Sequence, residues 1–331
     1  MELINTTTHE AAWHLAPDPH GRQMVCVAVK ATFTIPDTGR APEPAPRPLS
    51  LFLGDEYFGP PGRSAIRYPA DLVLEKVATD VGVVGHAHSP GGKPVASLPV
   101  SVQVGSLEKT ILVIGNRCWE KKGLFGGVRP SPPEPFVCMP LGYERAYGGE
   151  DQGTIYPLNP LGRGFIVDPK KAVGRPLPNI EETEHPIQSP RDQPVPAALG
   201  FVAPYWPQRQ QYAGTHDDHW RTSHCPLLPE DFDPRFFNAA VPGLIANGFL
   251  KGGEGVALCN LSPKGLRTFD LPRITLLVTV RIGKSPYYRP ADLYTVLFEP
   301  EEERFSMTWG AYLPAGKQPG RIAYIKVEMG N

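Results

Sequence analysis

The stretch Tyr212–Trp220 reads YAGTHDDHW, and His224 and Cys225 follow within five residues. It is the densest collection of metal-ligand and acid/base side chains in the chain. Zinc accepts imidazole, thiolate and carboxylate ligands, so His216, His219 and His224, with Cys225 or an aspartate, form one candidate metal set. The spacing is HxxH with no glutamate between the histidines, and it reads as a loop. It therefore lacks the helical geometry that HExxH supplies to zinc hydrolases. Gly214, Thr215, Asp217 and Asp218 instead favour a turn bonded to its own backbone, with Tyr212 and Trp220 covering it.

Other chemistry-bearing patterns are weaker. His86 and His88 share one face of a strand end, but no third ligand is apparent from sequence. Ser106 and Lys109 have SxxK spacing, yet they fall in a hairpin turn and lack the companion KTG and SDN motifs. Gly91-Gly92-Lys93 has Ala87 where a phosphate loop needs glycine. Glu144, Glu150, Asp151, Asp231 and Asp233 could supply paired acids, but glycosidase chemistry depends on a separation that sequence does not display. By contrast, Tyr205, Trp206, Arg209, Tyr212 and Trp220 lie within one short span. Aromatic and arginine anchors on a rigid loop suit a protein interface.

The elements that must position these residues read as β. The 331 residues include 34 glycines and 40 prolines, about twice average usage. That composition disfavours long helices and suits short strands joined by shaped loops. Val25–Ile35 alternates, with Lys30, Thr32 and Thr34 opposite the apolar face, and predicts a half-buried strand paired with the N-terminal residues. Lys76–His88, Val95–Val104 and Lys109–Ile114 read as an antiparallel meander. Residues 136–255 have little periodicity, and Pro229–Phe237 reads as a short helical turn. Strands return at Val256–Leu261, Arg273–Ile282, Leu293–Phe298, Arg304–Trp309 and Arg321–Met329. The expected fold is all-β, with antiparallel sandwich-like sheets, long ordered loops and few short helices. The chain is expected to form one unit over 1–331. Gly123–Pro135 is a possible boundary between a β subdomain (1–125) and a loop-rich region followed by a second β subdomain (136–331).

Net charge is −1 with no basic stripe, which argues against nucleic acid as a partner. The five cysteines are scattered without a CxxC pair, so no disulfide framework or four-cysteine zinc site is expected. The N-terminus lacks a basic, then apolar, signal pattern, and the longest strongly apolar stretch is Ile274–Val280. A cytoplasmic protein with no membrane partner is expected.

The ordered motifs resemble one bacterial family. MELINTT, Trp13, DPHGR and VAVKATFTIP open the series. LVLEKVATDVGVVGHAHSPGGKPV, the spaced pattern of Val104–Trp119, ERAYGGED, NPLGRGF and PNIE follow. Trp206, Arg209, YAGTHDDHW, LPEDFDPRFFNAA and GGEGVALCNLSPKG complete it. Together they are similar to the family called domain of unknown function 2169, over nearly the whole chain. Two departures are Thr7-Thr8-His9, where the family has a TPF-like triplet, and Gly115-Asn116-Arg117 in place of GDR. The resemblance implies a type VI secretion adaptor or chaperone. Such a protein binds a toxic effector and helps load it on the spike, the VgrG trimer and its PAAR tip. It implies no catalytic residue and no cofactor. It marks Gly214, Thr215, Asp217 and Trp220 as a shared GTxDxxW stretch. Tyr205, Trp206, Arg209, Tyr212, Thr215, Asp217 and Trp220 are accordingly the protein-binding candidates. The alternatives are a metal-dependent hydrolase using His216, Asp217 and His219, and a carbohydrate-binding β module using Trp206.

Overall fold

A computed structural model describes residues 2–123, 127–316 and 318–330. The chain is mainly β. In order, the strands used below are β1 (Glu2–Asn5), β2 (Glu10–Pro17), β3 (Gln23–Thr34), β4 (Asp80–Val83) and β5 (His86–His88). Then come β6 (Ser97–Val104), β7 (Leu107–Ile114), β8 (Cys138–Pro140), β9 (Ile180–Glu182), β10 (Gly255–Cys259) and β11 (Arg267–Asp270). The series ends with β12 (Leu276–Ile282), β13 (Ser285–Pro290), β14 (Asp292–Glu299), β15 (Arg304–Pro314) and β16 (Ile322–Met329). Two short helices, α1 (Pro207–Gln210) and α2 (Asp218–Ser223), lie in the long middle segment.

One five-stranded sheet has the order β2-β3-β15-β14-β4, and a second has the order β9-β7-β6-β10-β11. A four-stranded sheet runs β1-β16-β12-β13. Pairing is antiparallel except for β1 with β16 and β4 with β14 within these sheets. All three sheets feed one apolar core that draws on residues from Val25 to Val327. Phe269 of β11, Phe298 of β14 and Phe305 of β15 join the two five-stranded sheets, with ring centroids 5.2–6.3 Å apart. A smaller cluster around Trp119, Tyr147 and Phe165 packs the loop region between 119 and 187.

Alternation in β3 is real, but the strand is buried on both faces. Lys30 and Thr32 are 3% and 6% exposed, because loops cover the polar side of the sheet. Lys30 Nζ donates to Asp71 at 2.5 Å and lies 3.9 Å from the centre of the Phe52 ring. Asp71 also accepts from Phe52 N and Thr308 Oγ1, each at 2.8 Å. The polar side thus holds a fully partnered ion pair in place of solvent.

The expected strand Lys76–His88 divides at Val84-Gly85 into β4 and β5. β4 does not join the β6–β7 meander. It pairs in parallel with β14, more than two hundred residues away. A second five-stranded sheet forms because β9 adds to β7 and β10 adds to β6, both long-range choices. The Gly123–Pro135 loop is partly a hairpin, with Trp119–Lys121 paired to Val128–Pro130, and its residues 124–126 lie outside those described. The helical turn expected over Pro229–Phe237 is confined to Pro234–Phe237, where Asp233 caps it through Arg235 N.

Candidate functional site

The segment from Phe201 to Phe237 sits against the β2-β3-β15-β14-β4 sheet. Its anchor is Asp80 of β4, a buried carboxylate that receives Lys76 Nζ (2.6 Å), Ala239 N (2.8 Å) and Asn238 Nδ2 (3.0 Å). Two of the expected docking residues are buried in the packing of this segment. Trp206 is 2% exposed and meets Tyr143 edge-on, with centroids 4.8 Å apart. Arg209 is 7% exposed and donates to the carbonyls of Phe236 (2.9 Å) and Val202 (3.0 Å). Burial pulls its guanidinium below the ordinary arginine range. Both side chains hold the segment in shape through these internal contacts. The carbohydrate reading based on Trp206 loses its exposed ring for the same reason.

The GTxDxxW stretch forms a separate clamp. Thr215 donates from N (2.8 Å) and Oγ1 (2.7 Å) to the two oxygens of Asp231. Backbone and side-chain donation from Thr215 hold the Asp231 carboxyl below the usual aspartate range. Gly214 lies at φ +78°, and a Cβ there would stand 2.7 Å from Pro229 Cβ, so the close approach requires glycine. Asp217 accepts from Trp220 N at 2.8 Å and caps α2, an interaction worth about 1 kcal/mol. Trp220 Nε1 donates to Leu227 O at 2.9 Å. Tyr205 is exposed, and Tyr212 is partly exposed with the Arg235 guanidinium 4.5 Å above its ring.

The HxxH loop is thus corrected: His219 stands on α2, and Asp217 is a helix cap. The three imidazoles do not converge. His216 lies edge-on against Trp220, and His219 faces Ser223. His224 Nε2 reaches the carbonyls of Leu228 (2.8 Å) and Pro19 (3.0 Å), inside the loop packing. The scattered carboxylates likewise serve structure: Glu144 accepts from Ala65 N, Asp151 from Val167 N and Asp233 from Arg235. Lys109 of the SxxK spacing pairs with Glu182 across β7 and β9.

At the other strand end the third group absent from the sequence reading is Glu301. Its Oε2 accepts from His86 Nδ1 (2.9 Å) and its Oε1 from His88 Nε2 (2.8 Å). Glu301 sits in the turn after β14, more than two hundred residues along the chain, so no local spacing could reveal it.

A feature legible only in three dimensions is the cleft of about 490 Å³ between β2 and the Phe201–Phe237 segment. It is lined by His14 and Ala16 of β2, by the stretch from Pro69 to Leu74, and by Leu228 and Phe237 among others of the middle segment. His14 Nε2 is buried without a partner, and burial lowers its pKa, which favours the neutral ring. Among the described residues β2 pairs only with β3, so its outer side is a free edge eight residues long. Asp18 N donates to Arg22 O at 2.9 Å, which fixes the phase of the antiparallel ladder. By that phase the N–H and C=O groups of Ala11, Trp13 and Leu15 point outward.

No helix among the described residues is long and apolar enough to cross a membrane. No curated protein and no solved structure matches the chain. Residues 20–310 match the family described as an uncharacterized protein conserved in bacteria, a span that takes in most of both five-stranded sheets and the whole Phe201–Phe237 segment. The chain therefore belongs to the bacterial family of domain of unknown function 2169.

Proposed function

We propose that this protein is a non-enzymatic binding protein, an adaptor or chaperone of type VI secretion. In this role it captures a secreted effector and delivers it to the VgrG or PAAR component of the spike. The single observation that carries the reading is the apolar cleft beside the unpaired edge of β2. An extended segment can add to such an edge by main-chain hydrogen bonds while its alternate side chains enter the neighbouring cleft. The Thr215–Asp231 clamp and the buried Arg209 hold the opposite wall in one shape before binding, which lowers the ordering cost of association. Tyr205 and Tyr212 supply exposed aromatic surface on the same segment. The secretion role itself comes from the family resemblance.

The test is co-purification of the full chain with the toxin and spike proteins encoded beside its gene, followed by calorimetry on the pair. Ala16→Arg fills the cleft. Ala11→Pro removes an outward donor and leaves the β3 ladder in place, since proline is tolerated on the open side of an edge strand. Both variants are expected to weaken capture at least tenfold with the melting temperature little changed. Failure of the wild-type chain to bind any effector, VgrG or PAAR protein would end this reading. Full affinity in both variants would move the interface away from β2.

A further inference from the structure

We propose that His86, Cys138 and Glu301 form a binding site for a zinc-class divalent transition metal, with His88 positioning the carboxylate. The site is built by pairing of distant chain segments. β5 and β8 form an antiparallel two-stranded ribbon in which Cys138 lies opposite His88 and Pro140 opposite His86. Residues two apart on a strand share a face, so His86, His88 and Cys138 project on one side of the ribbon. The turn Pro300–Glu302 brings Glu301 over that side. Ligand atoms of His86, Cys138 and Glu301 lie within 4.8 Å of one another, the one such trio among the described residues.

The spacing of the three donors, within 4.8 Å of one another, allows an ion after a small closure. Zinc bonds of about 2.1–2.3 Å place tetrahedral ligand atoms roughly 3.4–3.8 Å apart. Shifts of about an ångström would close the site, and the Cys138 side chain is exposed while those of His86 and Glu301 are 38% and 34% exposed. One nitrogen, one sulfur and one oxygen donor select zinc, cobalt or a similar ion over magnesium or calcium, which prefer oxygen alone. His88 is the less exposed imidazole, at 14%, and its Nε2 donates to the Glu301 oxygen that His86 does not use. His88 thereby fixes the carboxylate plane, as outer partners of metal ligands do, and the ion would replace the His86 Nδ1–Oε2 hydrogen bond, displacing its proton. Three protein ligands leave a fourth position for water. His86 and Glu301 also line a cavity of about 390 Å³, together with Phe58, Arg67, Tyr143 and Glu144, so a small molecule could reach the ion.

The test uses the full chain, stripped with chelator under reducing conditions and titrated with zinc and then cobalt. We expect one ion per chain at micromolar affinity or better, and a thiolate-to-cobalt charge-transfer band in the near ultraviolet. Cys138→Ser should abolish the band, and Glu301→Gln should weaken zinc binding at least tenfold. His88→Ala should retain the band with affinity lower by about 10- to 100-fold, the usual effect of an outer partner. Unchanged circular dichroism and melting temperature of the apo variants exclude misfolding as the cause. Absence of zinc binding at micromolar concentration overturns the site. So does zinc binding that survives Cys138→Ser and Glu301→Gln undiminished, or that is lost on His216→Ala instead.

Discussion

Two side chains show how far a residue type can mislead or inform. Lys30 stands in a strand whose alternation suggests a wet face, yet it is buried beside Asp71. Removing one partner of such a pair strands the other charge in a low-dielectric site. Asp71→Ala is expected to destabilise the protein by about 3–5 kcal/mol, read from the midpoint of denaturant unfolding. Lys30→Met combined with Asp71→Asn should recover part of that loss, because no charge is left unpaired and the asparagine oxygen can still accept from Phe52 N. A loss below about 1 kcal/mol in Asp71→Ala would mean that water reaches the pair. Trp206 and Arg209 make the complementary point. Their types suit an interface, but their buried contacts make them struts of the fold.

At the scale of elements, the Gly214–Trp220 stretch is a clamp, a cap and the first turn of α2. The Asp231 carboxylate receives both donors of Thr215, so its pKa lies below that of an unfolded chain. A depressed carboxyl stabilises the fold above its unfolded pKa of about 4, and the contribution fades as pH falls through the lower folded value. The Asp231 carboxyl carbon should therefore titrate by NMR with a midpoint below that of free aspartate. Asp231→Asn should speed amide exchange at Thr215 at neutral pH. A midpoint at or above the ordinary value would show that the clamp does not form in solution. The edge strand β2 and the ribbon β5–β8 are the elements on which the proposed capture and metal sites rest, the first through unpaired backbone groups and the second through side chains.

For the whole molecule, the main core is continuous from Val25 to Val327, and each five-stranded sheet takes strands from far-separated parts of the chain. A fragment ending at residue 125 would contain β6 and β7 but lack β9, β10, β14 and β15. It would expose the inner faces of both sheets and the edges those strands cover. Such a fragment is expected to be unfolded or aggregated by circular dichroism and gel filtration, and co-expression with residues 126–331 should restore solubility. A monomeric 1–125 fragment with sharp amide dispersion would contradict this expectation.

What the sequence alone determined is local. Alternation located β3, β6, β12 and β15, because a two-residue period follows from strand geometry and needs no knowledge of neighbours, and apolar, β-branched runs marked β7, β14 and β16. Glycine and proline content disfavoured long helices by backbone chemistry, and the ordered motifs carried the family. Pairing belonged to tertiary structure. The parallel match of β4 with β14, the burial of Lys30 and the meeting of Glu301 with His86 and His88 all join segments separated by 40 to more than 200 positions. Side-chain burial decided which aromatics face solvent, and it reassigned Trp206 from candidate anchor to core. The physical reason is that propensity and periodicity act along the chain. Packing, hydrogen bonding and charge pairing depend on proximity in space, which only the closed fold supplies.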